Sequence, residues 1–123
     1  MHEDLTQITA AVDHYFQGLY HHDLARLKKA FHPQAQVIGR FKGRLFFSSL
    51  DGFLQLLEKT PAPVATGEKF DMSLEAVDLA GDAAVAKVRD LYQGLRFTDY
   101  LSLVKTKDEW VIVNKTYHHE PGE

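Results

Sequence analysis

The stretch Ala83 to Lys105, AAVAKVRDLYQGLRFTDYLSLVK, decides how the chain folds. Two runs rich in aliphatic, β-branched and aromatic residues flank Gln93-Gly94, a dipeptide suited to a two-residue hairpin loop, and so short a loop fixes the register. Tyr92 should then face Leu95, Asp90 should face Phe97, and Val88 should face Asp99. Side chains alternate along a strand, so Leu95, Phe97, Asp99, Leu101 and Leu103 share one face, where Asp99 stands alone among apolar neighbours. Ala84, Ala86, Val88, Asp90 and Tyr92 supply the same face of the preceding strand. Two carboxyl groups therefore meet on a diagonal of an apolar surface. A carboxyl group in such a place loses hydration, a second carboxylate nearby adds repulsion, and both effects favour the protonated acid, which donates a hydrogen bond near neutral pH.

The elements on either side complete the pattern. Gly81-Asp82 makes an earlier turn, behind which Phe70, Met72, Leu74 and Ala76 alternate with polar residues until Val77 and Leu79 shift the phase, predicting a bulge near Ala76. After Lys107-Asp108 a strand from Trp110 to His118 closes a four-strand meander. On it Asn114 is expected to share the face of Trp110 and Ile112, with Lys115 and Tyr117 on the opposite face. Upstream, Leu5, Ile8, Val12, Phe16 and Leu19 form one stripe of a helix from about residue 4 to residue 21, with Asp4 as its cap. Asp23 opens a second helix carrying Leu24, Leu27 and Phe31, which Pro33 stops by His32. Residues 35–39 and 44–47 read as short strands. Ser48 or Ser49 caps a third helix with Phe53, Leu54 and Leu57 on its apolar face, and residues 60–67, TPAPVATG, read as a loop. The order predicts an α+β fold, with three N-terminal helices packed on a strongly curved, mainly antiparallel sheet, in a single domain over residues 1–123.

Composition narrows the function. Fourteen basic and 17 acidic residues give a net charge of -3 with no basic stripe, which argues against nucleic acid as a partner. Cysteine is absent, so disulfides, thiol nucleophiles and Cys-bound zinc are excluded. The start MHEDLTQITAAVDHYF lacks the basic and apolar regions of a leader, and no run approaches the roughly 20 apolar residues of a membrane span, so a cytoplasmic protein without a membrane partner is expected. No phosphate loop, serine elbow or HExxH helix is present. In His21-His22-Asp23 and His118-His119-Glu120, adjacent histidines on extended chain point to opposite faces, so no metal and no cofactor is expected.

Four segments carry a family resemblance: HYFQGLYHHD (residues 14–23), FHPQAQVIGRFKG (31–43), GLRFTDYLSLVK (94–105) and WVIVNKTYHHEP (110–121). Together they resemble the putative lumazine-binding family of the nuclear transport factor 2-like superfamily, which also holds ketosteroid isomerase, scytalone dehydratase and polyketide cyclases. The resemblance implies a conical fold, a pocket between the concave sheet and the helices, and a homodimer. It also places Tyr15 and Asp99 on the positions of the steroid isomerases' oxyanion donors. Their general base falls on Gly39, which has no side chain to abstract a proton. Loss of such a base typically costs ~10²- to 10⁴-fold in rate, so classical isomerase activity is not expected.

Two readings follow. In the first, the chain is a small-molecule binding domain whose pocket takes a planar aromatic or heterocyclic ligand against Phe16, Phe31 and Phe97, with Asp90 and Asn114 offering hydrogen bonds. In the second, it is a lyase or isomerase acting by proton transfer, dehydration or cyclisation on a polyketide-, steroid- or pterin-like substrate, with Asp99 and Tyr15 as the acid pair and His32 as base. Each residue also has a plain structural reading. Asp99 could satisfy backbone amides, Tyr15 could be a core tyrosine bonded at the rim, and His32 could cap the last carbonyls of the second helix. The first reading is preferred, because no complete acid and base set can be assembled. On the opposite face of the sheet, Tyr100 and Val104 stand among Lys87, Arg89, Leu91, Arg96, Thr98 and Ser102, which predicts an isologous dimer contact.

Overall fold

Asp23 ends one helix hairpin arm and starts the next: its carboxylate accepts from the Arg26 amide at 3.2 Å, capping α2 (Leu24–Ala30) directly after α1 (His2–His21). The computed structural model describes residues 2–120. Beyond α2 come β1 (Phe31–Phe41), β2 (Arg44–Ser49), α3 (Leu50–Glu58), a 3-10 turn at Pro63–Thr66, and then β3 (Met72–Ala80), β4 (Ala83–Tyr92), β5 (Leu95–Thr106) and β6 (Glu109–His119). The six strands form one curved sheet in the order β2-β1-β6-β5-β4-β3, in which, among the described residues, only the β1–β6 pair is parallel. The helices pack on this sheet, so the α+β class and the three-helix arrangement are as the sequence predicts.

The Gln93-Gly94 turn does what its residues demand. Both adopt positive φ, 52° and 80°, which is the type I′ geometry that matches strand twist. The three expected pairs, Tyr92 with Leu95, Asp90 with Phe97 and Val88 with Asp99, are all formed. Glu68 clamps the turn, accepting from the Gln93 and Gly94 amides at 2.8 and 2.6 Å. The bulge in β3 falls between Leu74 and Ala76, and Ser49 is the α3 cap, accepting from Gly52 at 3.1 Å.

Three local expectations are corrected. Phe31 and His32 belong to β1 rather than to the second helix: Pro33 disfavours helical backbone at His32, and Phe31 pairs with Ile112 of β6. Asp4 lies within the first turn of α1, where its Oδ1 accepts from Trp110 Nε1 at 3.0 Å and Lys105 Nζ at 3.1 Å, pinning α1 to the end of the sheet. The third correction bears on the site. Asn114 pairs with Ser102 while Ile112 pairs with Leu103, leaving Val113 as an extra residue in β6. The bulge reverses the parity of everything after it. Trp110 and Ile112 are buried before it, Lys115 is buried after it, and Asn114 turns outward, where its side-chain oxygen accepts from Thr116 at 2.7 Å.

Gly18 sets how closely the helices approach. A Cβ there would lie 2.5 Å from Leu27 Cγ, a fully buried side chain of α2. Gly18→Ala should therefore lower stability by about 1–3 kcal/mol in urea denaturation, even though alanine is about 1 kcal/mol the better residue in a free helix. An unchanged or raised midpoint would contradict this packing. Among the described residues no helix is long and apolar enough to cross a membrane.

Candidate functional site

Register places the site. On the concave face Val88, Asp99, Tyr117, Gly39 and Phe46 are successive neighbours across β4, β5, β6, β1 and β2. Asp90 opposes Phe97 one step nearer the turn, which puts it on the diagonal from Asp99. α1 contributes Tyr15, whose hydroxyl donates to Asp99 Oδ2 at 2.5 Å. All three side chains are fully buried.

Their protonation follows from that burial. Desolvation pushes the Asp90 carboxyl well above the ordinary carboxylate range, and the Asp99 carboxylate, with which it shares a hydrogen bond, pushes it further; Lys115 and Arg96 pull weakly the other way. Burial, and then the two acids, likewise raise the Tyr15 phenol far above its usual value. The neutral form of Asp90 is thus favoured, and Tyr15 is a neutral phenol. Asp90 Oδ2 and Asp99 Oδ1 have no other hydrogen-bond partner among the described residues, so the Asp90 proton is the donor that joins the pair. The result is a relay of three groups, Tyr15 to Asp99 and Asp90 to Asp99, converging on one carboxylate.

Asp90 also forms part of the wall of a half-enclosed cavity of about 210 Å³. Leu19 of α1, Phe53 and Leu57 of α3, Phe46 of β2 and Phe97 of β5 make most of its surface apolar. Tyr92, Lys115 and Tyr117 add polar atoms to aromatic or aliphatic stems. The Tyr92 hydroxyl is 2.7 Å from His22 Nε2, and burial holds that imidazole below its usual pKa. Burial raises the Tyr117 phenol to about 12, so it too is un-ionised at neutral pH. Lys115 Nζ stands 4.8 Å from the Phe53 ring centroid, 5.1 Å from that of Tyr15 and 5.5 Å from that of Tyr117.

Of the residues singled out in the sequence, Asp90 and Phe97 line the cavity, and Asp99 and Tyr15 lie directly behind Asp90. Phe16 and Phe31 are core residues that do not reach it; Phe31 packs its edge on Tyr15 at 5.8 Å. Asn114 is removed from it by the β6 bulge. His32 lies elsewhere, in a second depression with His14 and Trp110, where its Nδ1 accepts from the Gln34 amide at 3.0 Å. It neither caps α2, which ends before it, nor joins Tyr15 and Asp99. Strict alternation puts Lys115 and Tyr117 on the wrong face, and the uninterrupted Val111-Ile112-Val113 run offers no phase from which to detect the bulge. Gly39 has a further consequence: a Cβ there would lie 2.7 Å from ring atoms of Tyr117, so this ring occupies the space into which a side chain from β1 would project. No group of three or more His, Asp or Glu among the described residues could hold a metal ion.

Residues 3–118 match the family described as putative lumazine-binding. The chain belongs to that family. Among solved structures, this chain is similar to a nuclear transport factor 2-like protein of unknown function from Silicibacter pomeroyi, with a TM-score of 0.87, 26% identity, and 96% of this chain and 97% of that one covered. A second such protein of unknown function, from Shewanella baltica, gives a TM-score of 0.85 at 26% identity over 98% and 96% of the two chains. A curated relative from Cladobotryum, the aldolase FrzH, is 26% identical over 109 residues, covering 87% of this chain and 84% of that protein. The motif that ends in Pro121 runs one residue past the described residues, and the family match stops at residue 118.

Proposed function

We propose that this lumazine-binding-type chain, acting as one domain over residues 1–123, binds a planar, largely apolar small molecule in the cavity between helices and sheet. One observation carries the reading: a fully buried Asp90, its carboxyl pushed by desolvation well above the ordinary carboxylate range, forms part of the wall of an open, otherwise mostly apolar cavity. With its proton held towards Asp99, a neutral acid in such a wall offers its carboxyl oxygen as an acceptor to an N–H or O–H of a ligand without the cost of desolvating a charge. Asp90 and Phe97 contact the ligand in this account, while Asp99 and Tyr15 are positioning residues that fix the Asp90 proton. A thermal-shift screen with pterins, flavins and steroids tests it. At least one compound should raise the melting temperature of the wild type, and the shift should shrink in Phe97→Ala. No shift from any of the three classes would count against the cavity as a binding site.

A lyase or isomerase reading has one observation in its favour, a carboxyl group of raised pKa in the cavity wall, and the likeness to a protein named as an aldolase points the same way. It lacks a base. Tyr117 covers Gly39, and His32 sits in the other depression. Binding is accordingly the preferred reading.

We also propose a homodimer through the convex face of the sheet. Phe47, Ile38, Thr116, Tyr100 and Lys87 are neighbours in one row across that face, and Phe47 and Tyr100 are 64% and 46% exposed. Burial of this row by its own symmetry mate would remove apolar surface that is costly to hydrate. Sedimentation equilibrium at micromolar concentration should report twice the 14.0 kDa chain mass, and Tyr100→Glu should return the protein to one. A single-chain mass for the wild type would reject the dimer.

A further inference from the structure

Lys115 is 5% exposed, forms part of the cavity wall, and has its ammonium surrounded by the rings of Phe53, Tyr15 and Tyr117. Ring faces attract a cation, but they do not satisfy its three N–H donors. No hydrogen bond or ion pair is made by its Nζ among the described residues. The acid in the cavity wall, Asp90, is pushed towards its neutral form and shares its hydrogen bond with Asp99, whose other oxygen accepts from Tyr15. The ammonium therefore faces the open cavity with no acceptor from the protein, and a ligand that displaces water there has to supply one, because a charge buried without an acceptor is costly. What completes it must come from the ligand.

We propose that Lys115 forms an anionic-oxygen site, and that the physiological ligand is a flat conjugated molecule carrying a carboxylate, phenolate or enolate oxygen. The inference rests on the binding reading above and adds the charge of the ligand to it. Phe46, Phe53, Leu57 and Phe97 take the flat body. The oxygen sits at the Lys115 end, where the ammonium donates to it. A neutral ligand of the same shape would fill the apolar part and leave the ammonium unpaired.

Isothermal titration calorimetry with 2-naphthoate and 2-naphthamide separates the possibilities, because the two probes share a ring system and differ in charge. Wild-type protein should bind the carboxylate at least about tenfold more tightly than the amide, a difference of about 1.4 kcal/mol. In Lys115→Met and Lys115→Gln the preference should vanish while the amide affinity stays within about twofold. Equal affinities in the wild type, or a preference that survives both substitutions, would overturn the anionic-oxygen site and leave the cavity reading standing. Failure of the wild type to bind either probe would overturn both. Should either variant fail to fold, the wild-type comparison still decides, since it alone predicts a ratio that a neutral site does not produce.

Discussion

Tyr15→Phe will lower stability by about 2–3 kcal/mol at neutral pH, with little change in native secondary structure. The hydroxyl is fully buried, donates to Asp99 Oδ2 at 2.5 Å, and has no access to water from which the carboxylate could recruit a substitute. Its removal leaves both Asp99 oxygens dependent on the single proton of Asp90. A hydrogen bond to a charged acceptor contributes about 1.5–3 kcal/mol, and an abandoned buried acceptor adds the cost of its own desolvation. Urea denaturation of the two proteins measures the difference. A loss below about 0.5 kcal/mol, the range of an ordinary surface change, would show that Asp99 is satisfied by other means.

Asp90→Asn is expected to do the opposite, and to do so in a pH-dependent way. The folded state raises the Asp90 pKa, so in the window above the ordinary carboxylate pKa the folded protein holds a proton that the unfolded chain has released. Wild-type stability from this group is thus fully present at low pH and is lost as pH rises through that window, by up to about 1.4 kcal/mol per pH unit. Asparagine keeps a donor for Asp99 and carries no such linkage. The variant should match or trail the wild type near about pH 4 and overtake it towards neutrality, with the gap widening until the folded Asp90 itself titrates. His22 has its pKa lowered and so contributes in the opposite sense, but it is common to both proteins and cancels in the difference. A difference independent of pH would mean that Asp90 is ionised in the folded protein.

How far the sequence reveals this site depends on whether a local signal fixes each residue. The Gln93-Gly94 turn admits one hairpin geometry, and from it the pairs Asp90–Phe97 and Val88–Asp99 follow by counting. The helix stripe that delivers Tyr15 and the serine cap of α3 are equally local. β6 is different. Its bulge arises where the strand must satisfy β5 on one side and run parallel to β1 on the other, a tertiary demand absent from the Val111-Ile112-Val113 run. Alternation therefore predicts Asn114 inward and Lys115 outward, the reverse of what the sheet does. His32 failed for a related reason. Phe31 is drawn into pairing with Ile112, which rotates the next residue toward the second depression and away from Asp99. The fold, the acid pair and Phe97 were readable from short-range rules, while the cationic and aromatic part of the cavity depended on one inserted residue.

The central claim is that Asp90 is a neutral acid beside the Asp99 carboxylate in the cavity wall. Carbon-13 NMR titration of the aspartate side-chain carboxyls, with Asp90→Asn and Asp99→Asn used for assignment, tests it directly. The account predicts that the Asp90 carboxyl carbon keeps the chemical shift of a protonated acid at neutral pH and titrates only well above the ordinary carboxylate range, and that this titration moves to lower pH in Asp99→Asn. An Asp90 carboxyl already ionised at neutral pH, titrating like a surface aspartate in wild type and variant alike, would contradict it.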